Sequence, residues 1–201
     1  MNCLHILPEE YERIKKISFT EDKKFSAYVN LAAVAVAAFL VVIMRIFVPF
    51  DIFAPSSSKD VTGLFIKGAV LCVMIFAYII LHEAVHGVFI RIISGKWGKF
   101  GFRSGFAYAS SEAFFGRFEY ITVALAPIVI WGIVLGIVNV LVPTGWFWVI
   151  YVVQIINLSG AVGDVYMTYA VMKLPKESLF KDDGLDITVY AKTNESVGEE
   201  I

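Results

Sequence analysis

Residues 64–93 read LFIKGAVLCVMIFAYIILHEAVHGVFIRII, with charged side chains only at Lys67, Glu83 and Arg91. As a helix rising 1.5 Å per residue, this run is about 45 Å long, more than the ~30 Å hydrocarbon core of a bilayer requires. A surface helix of a soluble protein keeps one face polar, whereas a membrane span is apolar all round. The stretch therefore predicts a transmembrane helix, and it holds an anomaly. His82, Glu83 and His86 fall within five residues of one another in its second half. A charged side chain at the bilayer centre costs roughly 2.5–3.5 kcal/mol even on the lenient insertion scale. Something must stabilise these groups.

Their spacing suggests what. At 3.6 residues per turn, His82 and His86 lie one above the other on a single helix face, so both imidazoles can reach one divalent ion. Glu83 is placed to act on a water at that ion rather than to ligate it, which is the logic of the HExxH pattern. Zn2+ is the expected cofactor. Hydrogen bonding inside a helix bundle, or a proton path, would account for the polarity but not for the spacing. Of the three histidines, only His5 lies outside the motif.

Three further apolar runs flank this one, at about 29–47, 121–142 and 146–172, and Pro143-Thr144-Gly145 joins the last two as a tight hairpin. Hydrophobic residues make up 58% of the 201 and charged ones 17%, against roughly 45–50% and 25% in soluble domains. The net charge of −1 gives no electrostatic footprint for nucleic acid. Cys3 and Cys72 form neither a disulfide framework nor a CxxC metal pair. The first 24 residues carry charges of both signs and no long apolar core, so no cleavable signal peptide is expected. The expected fold is an all-α membrane protein of four transmembrane helices, with a short membrane-associated hairpin between helices two and three. It divides into an N-terminal segment (1–28), a four-helix transmembrane domain (29–173) and a C-terminal tail (174–201).

Basic residues orient these spans. Arg13, Lys15, Lys16, Lys23 and Lys24 precede the first. Lys59 alone lies between the first and second. Lys96, Lys99, Arg103 and Arg117 follow the second, none separates the third from the fourth, and Lys173, Lys176, Lys181 and Lys192 follow the fourth. The alternation predicts a multi-pass protein of the cell membrane with both termini and the long middle loop cytoplasmic, and with helices two and four parallel. In that loop, Lys99-Phe100-Gly101-Phe102-Arg103 alternates as a strand does, and its glycines suit turns. Leu7, Tyr11, Ile14 and Ile17 or Ser18 follow helical spacing after Pro8, which suits a short surface helix or, equally, a solvated amphipathic turn. The tail after Leu174 is polar and acidic and is read as mobile at its end.

A catalytic zinc usually has three protein ligands and one open position. Besides Glu83, Asp164 is the only acidic residue in the four runs. His82 lies nine residues before Arg91 and Asp164 nine before Lys173, so both sit roughly 13–14 Å from their basic flanks. Gly160, one turn before Asp164, would let two helix backbones approach closely. A salt bridge or hydrogen bond without metal is the alternative role for Asp164. Asn157 precedes Asp164 by about two turns and would share its face. Its amide could orient a ligand, contact an extended substrate, or form a plain interhelical hydrogen bond. Gln154 is a weaker candidate of the same kind.

An HExxH on one membrane helix, a Gly- and aromatic-rich hairpin, Ala124-Leu125-Ala126-Pro127 opening the next helix, and Asn157 with Asp164 on a later one together resemble the site-2 protease superfamily. More closely, the chain is similar to the zincin peptidase family of small bacterial membrane proteins, a domain family of unknown function. The resemblance covers about residues 61–173. It implies a zinc metalloendopeptidase that cleaves within or beside a transmembrane segment of its substrate, with His82, His86 and Asp164 at the ligand positions and Glu83 as the catalytic carboxylate. The stretch around Asp164 departs from the site-2 pattern: 157–165 reads NLSGAVGDV, without a proline and without glycine after the aspartate. The expected partners are the lipid bilayer and a membrane-protein or peptide substrate, with no nucleic acid. The competing class is a non-proteolytic zinc-binding membrane regulator or a small transporter with a polar midplane site. Glu83 favours the enzyme, since a structural zinc site has no use for it. No repeat or pair of discontinuous helices points to a transporter.

Overall fold

The computed structural model describes residues 3–18, 21–50, 61–103 and 105–193. Lys59 of the basic-residue pattern lies outside them. The elements run β1 (Cys3–Leu4), β2 (Tyr11–Ser18), α1 (Lys23–Phe47), α2 (Val61–Ser94), β3 (Lys99–Arg103), β4 (Phe106–Ser110), β5 (Phe114–Phe115), α3 (Arg117–Leu141), α4 (Thr144–Gly160), α5 (Val162–Met172), β6 (Leu179–Asp182) and β7 (Asp186–Lys192).

Four helical stretches are long and apolar enough to cross a membrane: Lys23–Phe47, Val61–Ser94, Arg117–Leu141 and Thr144–Met172. By that measure the chain is a multi-pass membrane protein. The outward side chains fit. Val129, Ile133, Ile137 and Val140 form an exposed stripe along α3, and Phe65, Val73 and Phe76 are exposed on α2. In water such surfaces would be an aggregation hazard; in lipid they are the solvated face. The fourth stretch is not one continuous helix. It breaks at Ala161 (φ −77, ψ 3), between α4 and α5. Asn157 and Asp164 therefore belong to two helices rather than to one helical face. Gly160 is likewise not a point of close helix approach, because a Cβ there would meet nothing within 4 Å.

The fold is not purely all-α. A five-stranded sheet has the order β1-β5-β6-β7-β2, with every pairing antiparallel. Its strands come from both flanks of the helical region and from the middle loop. The N-terminal stretch 11–18 is strand β2, not a surface helix. Arg13 pairs with Tyr190 and Lys15 with Val189, so Ile14 is the extra residue of a bulge. One inserted residue shifts the side-chain alternation, and this gave Tyr11, Ile14 and Ile17 their helix-like spacing. The tail is equally structured. In β7 the side chains of Ile187, Val189 and Ala191 are buried, as are Leu179 and Phe180 in β6. Residues 194–201, where the tail was read as mobile, lie outside the described residues. The hairpin expected in the middle loop is present, with β3 and β4 paired from Lys99–Ser110 to Arg103–Phe106.

The chain divides into two compact units. The first comprises Met1–Val29, Glu83–Ala126 and Gly163–Ile201, the second Asn30–His82 and Pro127–Val162. The core of the first joins sheet to helix: Phe115, Phe180 and Val189 cluster with Ile90 of α2, Tyr120 and Val123 of α3, and Val171 of α5. An Arg117 guanidinium hydrogen bond to the Leu174 carbonyl ties the start of α3 to the residues after α5. The core of the second is helical and aromatic. Trp148 and Tyr151 of α4 are buried, and each donates a hydrogen bond to a carbonyl of the first span's segment, Pro49 at 2.6 Å and Leu40 at 3.2 Å. Buried in low dielectric, those polar tips need such acceptors.

Candidate metal centre

His82 and His86 are one turn apart within α2. Asp164 is in the first turn of α5. One ligand atom from each of the three lies within 4.8 Å of the others, and all three side chains are half-buried. Two imidazole nitrogens and a carboxylate oxygen are a donor set suited to Zn2+, which takes such ligands at about 2.0–2.2 Å. The helical spacing read from the sequence brings the histidines together, and the acidic residue singled out by depth joins them.

The hydrogen bonds behind the histidines fix which nitrogen of each ring is available. The Tyr78 hydroxyl lies 2.8 Å from His82 Nδ1 and 3.0 Å from Asn157 Oδ1. The Asn157 amide nitrogen is directed to the Ile128 carbonyl at 3.4 Å, so its oxygen faces Tyr78 as an acceptor. A phenol has one proton to give. It goes to Asn157, and Tyr78 oxygen therefore accepts from His82 Nδ1–H. His86 Nδ1 lies 3.0 Å from the Val123 carbonyl, which can only accept. With Nδ1 of each ring engaged in this way, Nε2 is the atom of each that would face an ion. Metal-binding histidines are commonly held in this way.

The Val123 carbonyl is available to His86 for a reason written in the sequence. Pro127 lies inside α3. A proline has no N–H, so the carbonyl four residues earlier loses its helical donor. That carbonyl is Val123. Asn157, expected to orient a ligand, contact an extended substrate or form a plain interhelical hydrogen bond, is completely buried; it bonds the Ile128 carbonyl of α3 and the Tyr78 hydroxyl, which in turn contacts His82. Gln154 is more remote, donating to the Gly132 carbonyl at 3.3 Å.

Three contributors were not anticipated from the sequence. Tyr78 sits one turn before His82, and its helical spacing of four was the available signal. Phe100 of β3 lies against Gly87, the residue after His86; a Cβ at position 87 would come within 2.2 Å of the ring. The glycine thus seats the β3–β4 hairpin directly beside the motif. The third is Asp182, at the end of β6. Its carboxyl is pushed up to about 7: burial raises it most, a hydrogen bond from Gly184 N–H at 2.7 Å pulls it down, and the charges of Asp164, Asp183 and Glu83 add to the rise. The last of these places a third carboxyl in the electrostatic field of the centre. Gly184 holds the turn with φ +90, and Tyr108 of the hairpin covers it. Only glycine adopts that backbone conformation without strain.

No curated protein and no solved structure matches the chain. Residues 75–179 match the model of a family described as "Putative zincin peptidase". The matched stretch includes His82, Glu83, His86, Asn157, Asp164 and the β3–β4 hairpin. It covers 105 of the 201 residues, and on that match the chain belongs to this zincin peptidase family.

Proposed function

We propose that this protein is an intramembrane zinc metalloendopeptidase that hydrolyses a peptide bond in or next to a transmembrane segment of a membrane protein. The observation that carries the reading is the arrangement of His82 and His86, each hydrogen-bonded through Nδ1 and each with a ligand atom within 4.8 Å of the other and of the Asp164 carboxylate. His82, His86 and Asp164 would hold the ion. Zinc bound there supplies Lewis acidity, polarising a scissile carbonyl and bringing the ionisation of a water toward neutral pH. Glu83, next to His82 on the same turn, takes the proton from the attacking water and returns it to the leaving amine. Tyr78, Asn157 and the Val123 carbonyl hold the imidazoles in one tautomer and one orientation throughout. The likeness to site-2 proteases supports the intramembrane part of the reading, as does the motif's place inside a helix apolar enough to span a bilayer. The excess of lysine and arginine around the first, middle and last connections supports cytoplasmic termini in the cell membrane.

The test uses purified full-length protein in detergent, with β-casein and a synthetic transmembrane peptide as probes. Wild type is expected to hold about one zinc per chain and to cleave. Glu83→Gln keeps size and polarity but removes the base, so it should retain zinc and lose cleavage. Asp164→Asn removes the ligand charge and should lose zinc affinity together with activity. Cleavage by Glu83→Gln at the wild-type rate would rule out the enzymatic reading and leave a zinc-binding regulator. Full zinc occupancy in His82→Ala/His86→Ala would place the metal elsewhere.

A further inference from the structure

The metal centre leaves a second feature of the first unit unexplained. A cavity of about 800 Å³ opens where β2 leads into α1, and α5 forms its other wall. Four lysines line it, Lys15, Lys16, Lys23 and Lys24, together with Phe25 and Tyr166, whose ring centroids are 4.5 Å apart. The two acidic residues at its rim are committed to the protein itself. Asp22 Oδ1 caps α1, accepting from the backbone N–H groups of Lys24 and Phe25 at 3.0 Å. Glu21 binds Lys16 at 2.5 Å, and the same lysine reaches Asp186 at 3.4 Å. Lys16 is thus engaged, and Lys15, Lys23 and Lys24, which form no ion pair among the described residues, supply the uncompensated charge.

We infer that this cavity binds the phosphate headgroup of an anionic phospholipid. The ligand must be an anion, because four lysines against the two carboxylates of Glu21 and Asp22 leave the lining net positive. Three observations make it a lipid rather than a soluble phosphate. Besides β2, the cavity is lined by the ends of two helical stretches apolar enough to span a bilayer, Lys23–Phe47 and Thr144–Met172, so it lies where the hydrocarbon gives way to headgroups. Two aromatic rings line it, as is common at that depth. Along α1, Lys24, Tyr28 and Leu31 follow the spacing i, i+4, i+7, and all three are exposed, giving an apolar track on which an acyl chain can lie below a bound phosphate. The volume is within the range of small-molecule sites and admits a phosphoglycerol headgroup. Basic pockets between membrane helices are the usual sites for such lipids.

Native mass spectrometry of the full chain in neutral detergent tests this, with phosphatidylglycerol, phosphatidylcholine and inorganic phosphate as probes. Wild type should retain phosphatidylglycerol about tenfold better than phosphatidylcholine, and raised salt should erase that preference. Lys15→Gln/Lys23→Gln/Lys24→Gln should lose the preference. Lys176→Gln, an exposed lysine outside the cavity, should keep it. The salt response of wild type decides the matter independently of how the triple variant folds. Equal retention of the two lipids by wild type, or an undiminished preference in a folded triple variant, overturns the inference. So does displacement of phosphatidylglycerol by millimolar inorganic phosphate, which would make the occupant a soluble anion.

Discussion

The Tyr78 hydroxyl gives its one proton to Asn157, 3.0 Å away, and is thereby left as an acceptor. This relationship, between residues 79 positions apart, selects the tautomer of His82 from the side away from the candidate metal position. Tyr78→Phe removes the acceptor of His82 Nδ1–H and the donor to Asn157 together. Loss of such a partner behind a metal-binding histidine typically costs about 10–100-fold in affinity. Chelator-competition titration should show a loss of that size with the helical content unchanged. Wild-type affinity in Tyr78→Phe would show that the tautomer is fixed by other means.

Pro127→Ala separates stability from metal binding. Alanine is about 3 kcal/mol more favourable than proline in a helix interior, and its N–H would bond the Val123 carbonyl. The melting temperature should therefore rise or hold. The same N–H would compete with His86 Nδ1–H for that carbonyl, so zinc affinity should fall roughly tenfold. A variant that gains in both would contradict the role given to the freed carbonyl.

Asp182 makes the metal-free protein sensitive to pH. Unfolded, its carboxyl loses its proton near the ordinary aspartate value of about 3.9; folded, it keeps it up to about 7. Between those values the folded state binds the extra proton, so stability is greatest at low pH on this group's account and is lost as pH rises to about 7. Asp182→Asn has no proton to lose and keeps an oxygen for Gly184 N–H. With zinc removed by chelation, the variant should match wild type near pH 4 and melt higher at pH 8, by on the order of 5 °C. Equal melting curves at both pH values would mean that the carboxyl is already ionised in the folded state.

The sheet should matter as much as the spans. Phe180 is completely buried, pairs with Phe115 and Val189 across its two neighbouring strands, and packs its ring against Tyr120 of α3 at 5.7 Å between centroids. Phe180→Ala should cost about 3–5 kcal/mol, read as a shift in the denaturation midpoint. A change under 1 kcal/mol would mean that the sheet packs loosely.

What the sequence reveals here follows from how local each constraint is. The spans are legible because a bilayer demands about 20 consecutive apolar residues, and the histidine pair because one helical turn brings positions four apart together. Asp164 stands out because carboxylates are costly in such segments. The sheet is hidden. β1 and β5 are two residues each, too short to show alternation, and the Ile14 bulge disguises β2 as a helix. The β6–β7 hairpin did carry a signal, the Gly184 turn followed by alternating Ile187, Val189 and Ala191, but it is embedded among the charges of a tail that reads as polar and acidic. Asp182 was beyond reach of any local pattern, since nothing near it in the sequence hints at a neighbour as distant as Glu83.

Strand order has a consequence for biosynthesis. β2 precedes all four spans, yet its partner in the sheet is β7, which follows them. During translation β2, whose one neighbour in the sheet is β7, must therefore wait unpaired until residues 186–192 leave the ribosome. The core that packs Val123 and Tyr120 against Phe180 and Val189 cannot close earlier. Helices can enter the membrane one after another while the unit holding Glu83, His86 and Asp164 is still unfinished. A nascent chain would thus be unable to hold its ion firmly, and hydrolytic competence would be withheld until synthesis has passed β7.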